Sequence, residues 1–153
     1  VVTMVQALTL IGFLVLTLGG GSLIGYWSIP GEWYEQLAKP AFNPPNWIFG
    51  PVWTVLYILI AFAGWRLWRR NPTGPAMLVW WVQLALNFLW PLVFFTARRF
   101  DLALIVIVIL LAAIIGLIVS TIRRDRLVAL IMVPYALWVA FATLLNLSIF
   151  LLN

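Results

Sequence analysis

Five runs free of charged residues divide this 153-residue chain: Val1–Gly31, Pro40–Trp65, Asn71–Ala97, Leu102–Ile122 and Leu127–Asn153, of 31, 26, 27, 21 and 27 residues. About 20 predominantly apolar residues in a helix cross a bilayer. Each run is long enough, and together they use nearly the whole chain. With 65% of residues hydrophobic and a mean hydropathy of +1.12, a water-soluble fold of this size has no means of hiding so much apolar surface. The expected fold is an all-α integral membrane protein, a five-transmembrane-helix bundle forming a single membrane domain over residues 1–153.

Cysteine and histidine are both absent. This removes disulfides, thiolate chemistry, zinc sites and the common axial haem ligands, so no metal site and no cofactor is expected. The formal charge of +5 does not indicate nucleic acid, because the basic residues are spread over several helix ends and form no single patch. Every Asp, Glu, Lys and Arg falls in a loop or near a span end. Ion-coupled transporters need such groups inside the membrane. Neither a base to activate Ser or Thr nor an intramembrane carboxylate pair is present, which argues against hydrolytic and acid–base catalysis.

The helices are expected at Val5–Tyr26, Asn46–Trp68, Ala76–Ala97, Leu102–Ile122 and Val128–Leu152. The first run lacks a basic leader and an Ala-x-Ala cleavage pattern, so it is expected to be a retained first helix, truncated at its start because no initiator Met is present. Gly21 and Gly25 form a small-xxx-small pair that suits close helix approach. The only long connection, residues 27–45, holds Pro30, Pro40, Pro44 and Pro45 together with Trp33, Tyr34, Leu37 and Phe42. These are poor residues for a floppy linker, and the loop is expected to act as a lid. Its GEWYEQLAK stretch suggests a short helix ended by Pro40. Asn46 is a candidate cap for the second helix, and Pro91 is expected to kink the third. Six basic residues lie on the side of the amino terminus, against Lys39, Arg98 and Arg99 on the other, which predicts a cytoplasmic amino terminus and an outside loop.

Polar and aromatic residues recur at helical spacing. Trp80, Gln83, Asn87 and Trp90 share one face of the third helix; Tyr135, Trp138, Ala142 and Asn146 share one face of the fifth; Trp53 and Tyr57 stand one turn apart on the second. One reading is interhelical glue, with Gln83, Asn87 and Asn146 bonding across a dry bundle. The other is a cavity lined by Trp53, Asn87 and Trp138, mostly apolar with a few placed polar groups and suited to a large flat ligand. Trp47, Trp65 and Trp68, near span ends, fit an interfacial belt. Ala112, Gly116 and Ser120 form a small-residue ridge on the fourth helix, suited either to a subunit contact or to packing within the monomer.

The string WYEQLAKPAFNPPNWIFGPVWTVLY at Trp33–Tyr57 strongly resembles the translocator protein family, TspO or peripheral benzodiazepine receptor-like. The resemblance continues at QLALNFLWPLVFFTARR, Gln83–Arg99, and at VPYALWVAFATLLN, Val133–Asn146. It covers essentially the whole chain. It implies a five-helix membrane protein, usually a homodimer, that binds protoporphyrin-type tetrapyrroles, sterols and benzodiazepine-like drugs beneath the first loop. The implied ligand-binding positions are Trp33, Tyr34 and Pro44 in the loop and Trp53, Asn87, Trp90, Trp138 and Ala142 in the bundle; Tyr57 joins them from the spacing argument. In some bacterial members, residues matching Trp53 and Trp138 are associated with light-dependent porphyrin breakdown, and indoles are oxidisable enough to serve as electron donors. Phe42 stands where the family usually has Trp. The closing stretch NLSIFLLN lacks the Tyr-then-basic cholesterol motif of animal members.

The leading expectation is a membrane receptor or carrier for porphyrin-like or sterol-like hydrophobic ligands, with the lipid bilayer as its surroundings, a homodimeric state and no nucleic-acid partner. The alternatives are Trp53- and Trp138-dependent photo-oxidative porphyrin degradation, or a membrane scaffold. The implied location is a multi-pass position in a bacterial cell membrane; the charge bias favours an inner membrane, whereas family members have been placed in outer ones.

Overall fold

The computed structural model describes residues 2–153 and contains five helices long and apolar enough to cross a membrane. They are Met4–Trp27, Asn46–Arg70, Pro75–Thr96, Phe100–Thr121 and Arg126–Leu152, called the first to fifth spans below. The protein is a multi-pass integral membrane protein of all-α class. Around the bundle the spans follow the order first, second, fifth, fourth, third, with the third returning to the loop-side half of the first.

Small residues set the closest approaches. A Cβ at Gly64 would overlap the Trp80 indole, and one at Gly21 would overlap the Tyr57 ring. Trp80 is fully buried there and donates from Nε1 to the Ile60 carbonyl at 3.0 Å. Gly25 behaves differently from the expected helix-contact pair, because nothing lies within 4 Å of a Cβ built on it. It borders open space inside the bundle.

Two spans contain π segments. Val15–Gly19 of the first is a π segment, where the Thr17 hydroxyl donates to the Tyr57 carbonyl at 2.9 Å. The distortion places a polar side chain on a neighbouring backbone acceptor, where lipid offers none. In the third span, Pro91 is followed by a second π segment, Leu92–Thr96. The expected disturbance at Pro91 therefore takes the form of a wider turn.

Three local expectations are corrected. Asn46 makes no side-chain cap; it opens a 3₁₀ turn, Asn46–Ile48, in which the Pro45 carbonyl accepts from the Ile48 N–H at 3.1 Å. The loop helix is only Glu32–Glu35 and ends well before Pro40. Trp65 is no belt residue: it is buried and donates from Nε1 to the Gln6 carbonyl at 2.8 Å, tying the first span to the second. Trp47 and Trp68 do lie exposed, at 74% and 41%.

Candidate functional site

At the loop end of the bundle the spans separate around a cavity of about 540 Å³, within the range of small-molecule sites. Leu18, Gly21, Ile24 and Gly25 of the first span form one wall. Trp53 and Tyr57 come from the second, Asn87, Trp90 and Phe94 from the third, and Trp138, Ala142 and Asn146 from the fifth. Ile29, Pro30, Tyr34 and Asn43 of the loop cover the top. The fourth span contributes nothing, in keeping with its aliphatic sequence.

The floor is a chain of hydrogen bonds. Tyr57 OH donates to Asn87 Oδ1, Asn87 Nδ2 donates to Tyr135 OH, and Tyr135 OH donates to Gln83 Oε1, each at 2.7 Å. This links the second, third and fifth spans through four buried side chains, so glue and cavity lining coexist. Asn87 does both. Gln83 and Tyr135 lie beneath it and do not line the cavity. Asn146 is similarly committed: its Oδ1 accepts from Trp90 Nε1 at 2.9 Å, and its Nδ2 donates to the Phe100 carbonyl at 2.8 Å. Trp138 Nε1 is buried without a hydrogen-bond partner among the described residues. It is a cavity-wall donor with unused capacity, a feature that ordinarily calls for an acceptor.

Of the residues singled out in the sequence, Tyr34, Trp53, Tyr57, Asn87, Trp90, Trp138 and Ala142 are brought together around this space. Trp33 and Pro44 are not. The Trp33 ring lies on Phe100 at 6.2 Å and 17° between planes, with its edge to Phe94 and the Arg98 guanidinium 6.0 Å away. It anchors the loop to the third and fourth spans. Tyr34, beside it, packs edge-on to Phe95 at 5.3 Å and faces the cavity. Burial pushes the Tyr34 phenol above its ordinary value, with the Asn43 side chain pulling the other way. It therefore stays neutral over the physiological range.

Lining residues that sequence reasoning missed include Gly25, Asn43, Phe49 and Phe94. Phe49 and Phe94 looked like generic span residues; only the packing of Phe49 against Trp138, at 5.8 Å, places it at the site. Among the described residues, no charged side chain lines the cavity, so its interior suits a neutral, largely apolar guest with few hydrogen-bonding groups.

Residues 13–152 match the sequence profile of the TspO/MBR family. The chain is 36% identical over 124 residues to a tryptophan-rich sensory protein of Cereibacter sphaeroides, covering 81% of this chain and 78% of that one. It is 38% identical over 123 residues to the tryptophan-rich protein TspO of Archaeoglobus fulgidus, covering 79% and 80%. It is 34% identical over 134 residues to the human translocator protein, covering 82% and 79%. An aromatic-walled cavity under the first loop of a five-span bundle and a match across nine-tenths of the sequence lead to one conclusion: the chain belongs to the TspO/MBR family.

Proposed function

We propose that this protein is a membrane receptor or carrier whose intrabundle cavity takes porphyrin-type tetrapyrroles and other flat hydrophobic ligands, with residues 27–45 as its lid. The observation that carries this reading is the cavity itself: about 540 Å³, without a charged side chain, and walled by Trp53, Tyr57, Trp90 and Trp138. Indole and phenol rings offer large rigid faces for stacking, and the free Trp138 N–H offers one donor. A porphyrin carboxylate would sit toward the loop, where Lys39 stands 4.6 Å above the Tyr34 ring. Fluorescence titration of the purified protein with metal-free protoporphyrin tests this. Saturable binding at one ligand per chain is expected, and binding no greater than that of empty micelles would refute it.

A second reading, light-dependent porphyrin degradation, is favoured by the two oxidisable indoles Trp53 and Trp138 opening onto the same space. Product analysis under illumination in the presence of dioxygen separates it from binding alone. A homodimer remains part of the proposal. Ala112, Gly116 and Ser120 all face outward from the bundle, with open space around Gly116, so the ridge is available to a second copy; crosslinking in lipid tests for pairs.

A further inference from the structure

The opposite end of the bundle holds a second, smaller space of about 270 Å³, lined by Gln6, Arg66, Arg69, Arg70 and Asp125. It forms where the start of the first span, the end of the second and the turn before the fifth converge. Its chemistry is the reverse of the aromatic cavity. This end of the molecule carries Arg66, Arg69, Arg70, Arg123, Arg124 and Arg126 against Asp125 alone. The other end balances Lys39, Arg98 and Arg99 against Glu32, Glu35 and Asp101, so the whole formal charge of +5 belongs to the crevice end.

The crevice walls are held in place. Arg66 donates from Nε and Nη2 to the two Asp125 oxygens at 3.1 and 3.2 Å, and Arg70 Nε lies 3.3 Å from the same carboxylate. Asp125 is only 4% exposed at its side chain and also accepts from the Val128 N–H. One carboxylate thus fixes two guanidinium groups without neutralising both. Arg69 is held by a different contact, its guanidinium 4.7 Å above the ring of Trp65, whose Nε1–H donates to the Gln6 carbonyl. Among the described residues, no carboxylate lies within 4.0 Å of Arg69.

Fixed, incompletely compensated guanidinium groups around a small space match the geometry of a phosphate, which accepts bidentate donation. At the same end of the bundle, Trp68, next to Arg69 in the chain, is 41% exposed, and Met4, Val5 and Leu8 at the start of the first span are 79%, 73% and 59% exposed. This apolar surface suits an acyl chain and places the crevice at the membrane interface. We propose that the Gln6/Arg66/Arg69/Arg70 crevice is a binding site for a phosphate group, supplied by the headgroup of an anionic phospholipid.

The test is native mass spectrometry of the delipidated full chain titrated with phosphatidylglycerol or with phosphatidylcholine of the same acyl chains, with and without millimolar inorganic phosphate. Arg69→Gln removes the uncompensated guanidinium. Arg124→Gln removes an equal charge from the same end, outside the crevice. Saturable retention of one phosphatidylglycerol, in preference to phosphatidylcholine, is expected, weakened about fivefold by Arg69→Gln and less than twofold by Arg124→Gln. Displacement by inorganic phosphate would identify the free anion as a sufficient ligand; resistance to displacement would identify the lipid. Equal retention of the two lipids, or equal losses in the two variants, would overturn the site and leave only diffuse attraction.

Discussion

Asn153 closes a two-bond clasp on the backbone of Ala38: its Nδ2 donates to the Ala38 carbonyl at 2.9 Å, and its Oδ1 accepts from the Ala38 N–H at 3.1 Å. The end of the fifth span therefore holds the middle of the loop that covers the cavity. Replacing Asn153 by Ala removes both bonds, each worth about 0.5–1.5 kcal/mol net. Hydrogen exchange of the amides of residues 31–43 is expected to accelerate about fivefold or more. Unchanged exchange would mean that Trp33 and Tyr34 hold the loop without help.

Asn87 is the centre of the buried polar chain, and Asn87→Leu strands Tyr57 OH and leaves Tyr135 OH with its bond to Gln83 alone. Interhelical hydrogen bonds of this kind contribute about 0.6–2 kcal/mol each in membranes, so loss of two is expected to lower stability by about 2 kcal/mol. A thermal or denaturant transition in detergent measures this. Because Asn87 Oδ1 and one Nδ2 proton are already engaged, the stability loss should exceed any loss of ligand affinity.

Gly21 and Gly25 look equivalent in sequence and are not equivalent in space. Gly21→Ala drives a Cβ into the Tyr57 ring and is expected to destabilise by about 1–3 kcal/mol. Gly25→Leu meets open space and fills part of the cavity, so it should spare the melting temperature and reduce protoporphyrin binding. The reverse pattern would place the cavity wall elsewhere.

That pair also marks the limit of what the sequence makes legible. Five spans follow from charge-free runs, and the inward faces of the third and fifth from the spacing of Trp80, Gln83, Asn87 and Trp90 and of Tyr135, Trp138, Ala142 and Asn146. Periodicity reports which face is buried. It does not say whether a buried residue meets a neighbour or a void, which depends on how far apart the spans stand at each level. Trp65 escaped for a related reason: its place near a span end suggested the lipid interface, while its bond to the Gln6 carbonyl belongs to a contact between distant segments. Trp33 is read correctly as an ordered loop residue, yet only the position of Phe100 shows that it turns away from the cavity.

Asp125 gives the fold an acid-sensitive point. Burial penalises its charged form, but hydrogen bonds and charge from Arg66, the Val128 N–H and the Arg70 charge outweigh that penalty and hold its carboxyl below the ordinary value of 3.8. A depressed folded-state value stabilises the protein at pH above the unfolded value, and the contribution is lost as pH falls through the folded one. Stability should thus be level from neutral pH down to about 5 and decline below the ordinary carboxylate range. Asp125→Asn, which retains a capping side chain, should flatten that decline and cost about 1–2 kcal/mol at neutral pH. An undiminished acid transition in the variant would assign it to other carboxylates.

The aromatic cavity is the central claim, and titration of Trp53→Phe, Trp138→Phe and Trp68→Phe with metal-free protoporphyrin tests it most directly. Trp53 and Trp138 line the cavity, whereas Trp68 lies outside it against Phe13. Phe retains most of the apolar area but reduces stacking and removes the N–H. The two cavity variants are expected to bind about twofold to tenfold more weakly, from an aromatic contribution of about 0.5–1.5 kcal/mol, and Trp68→Phe to match the unmodified protein. Identical affinities in all three variants would contradict the assignment of this cavity as the binding site.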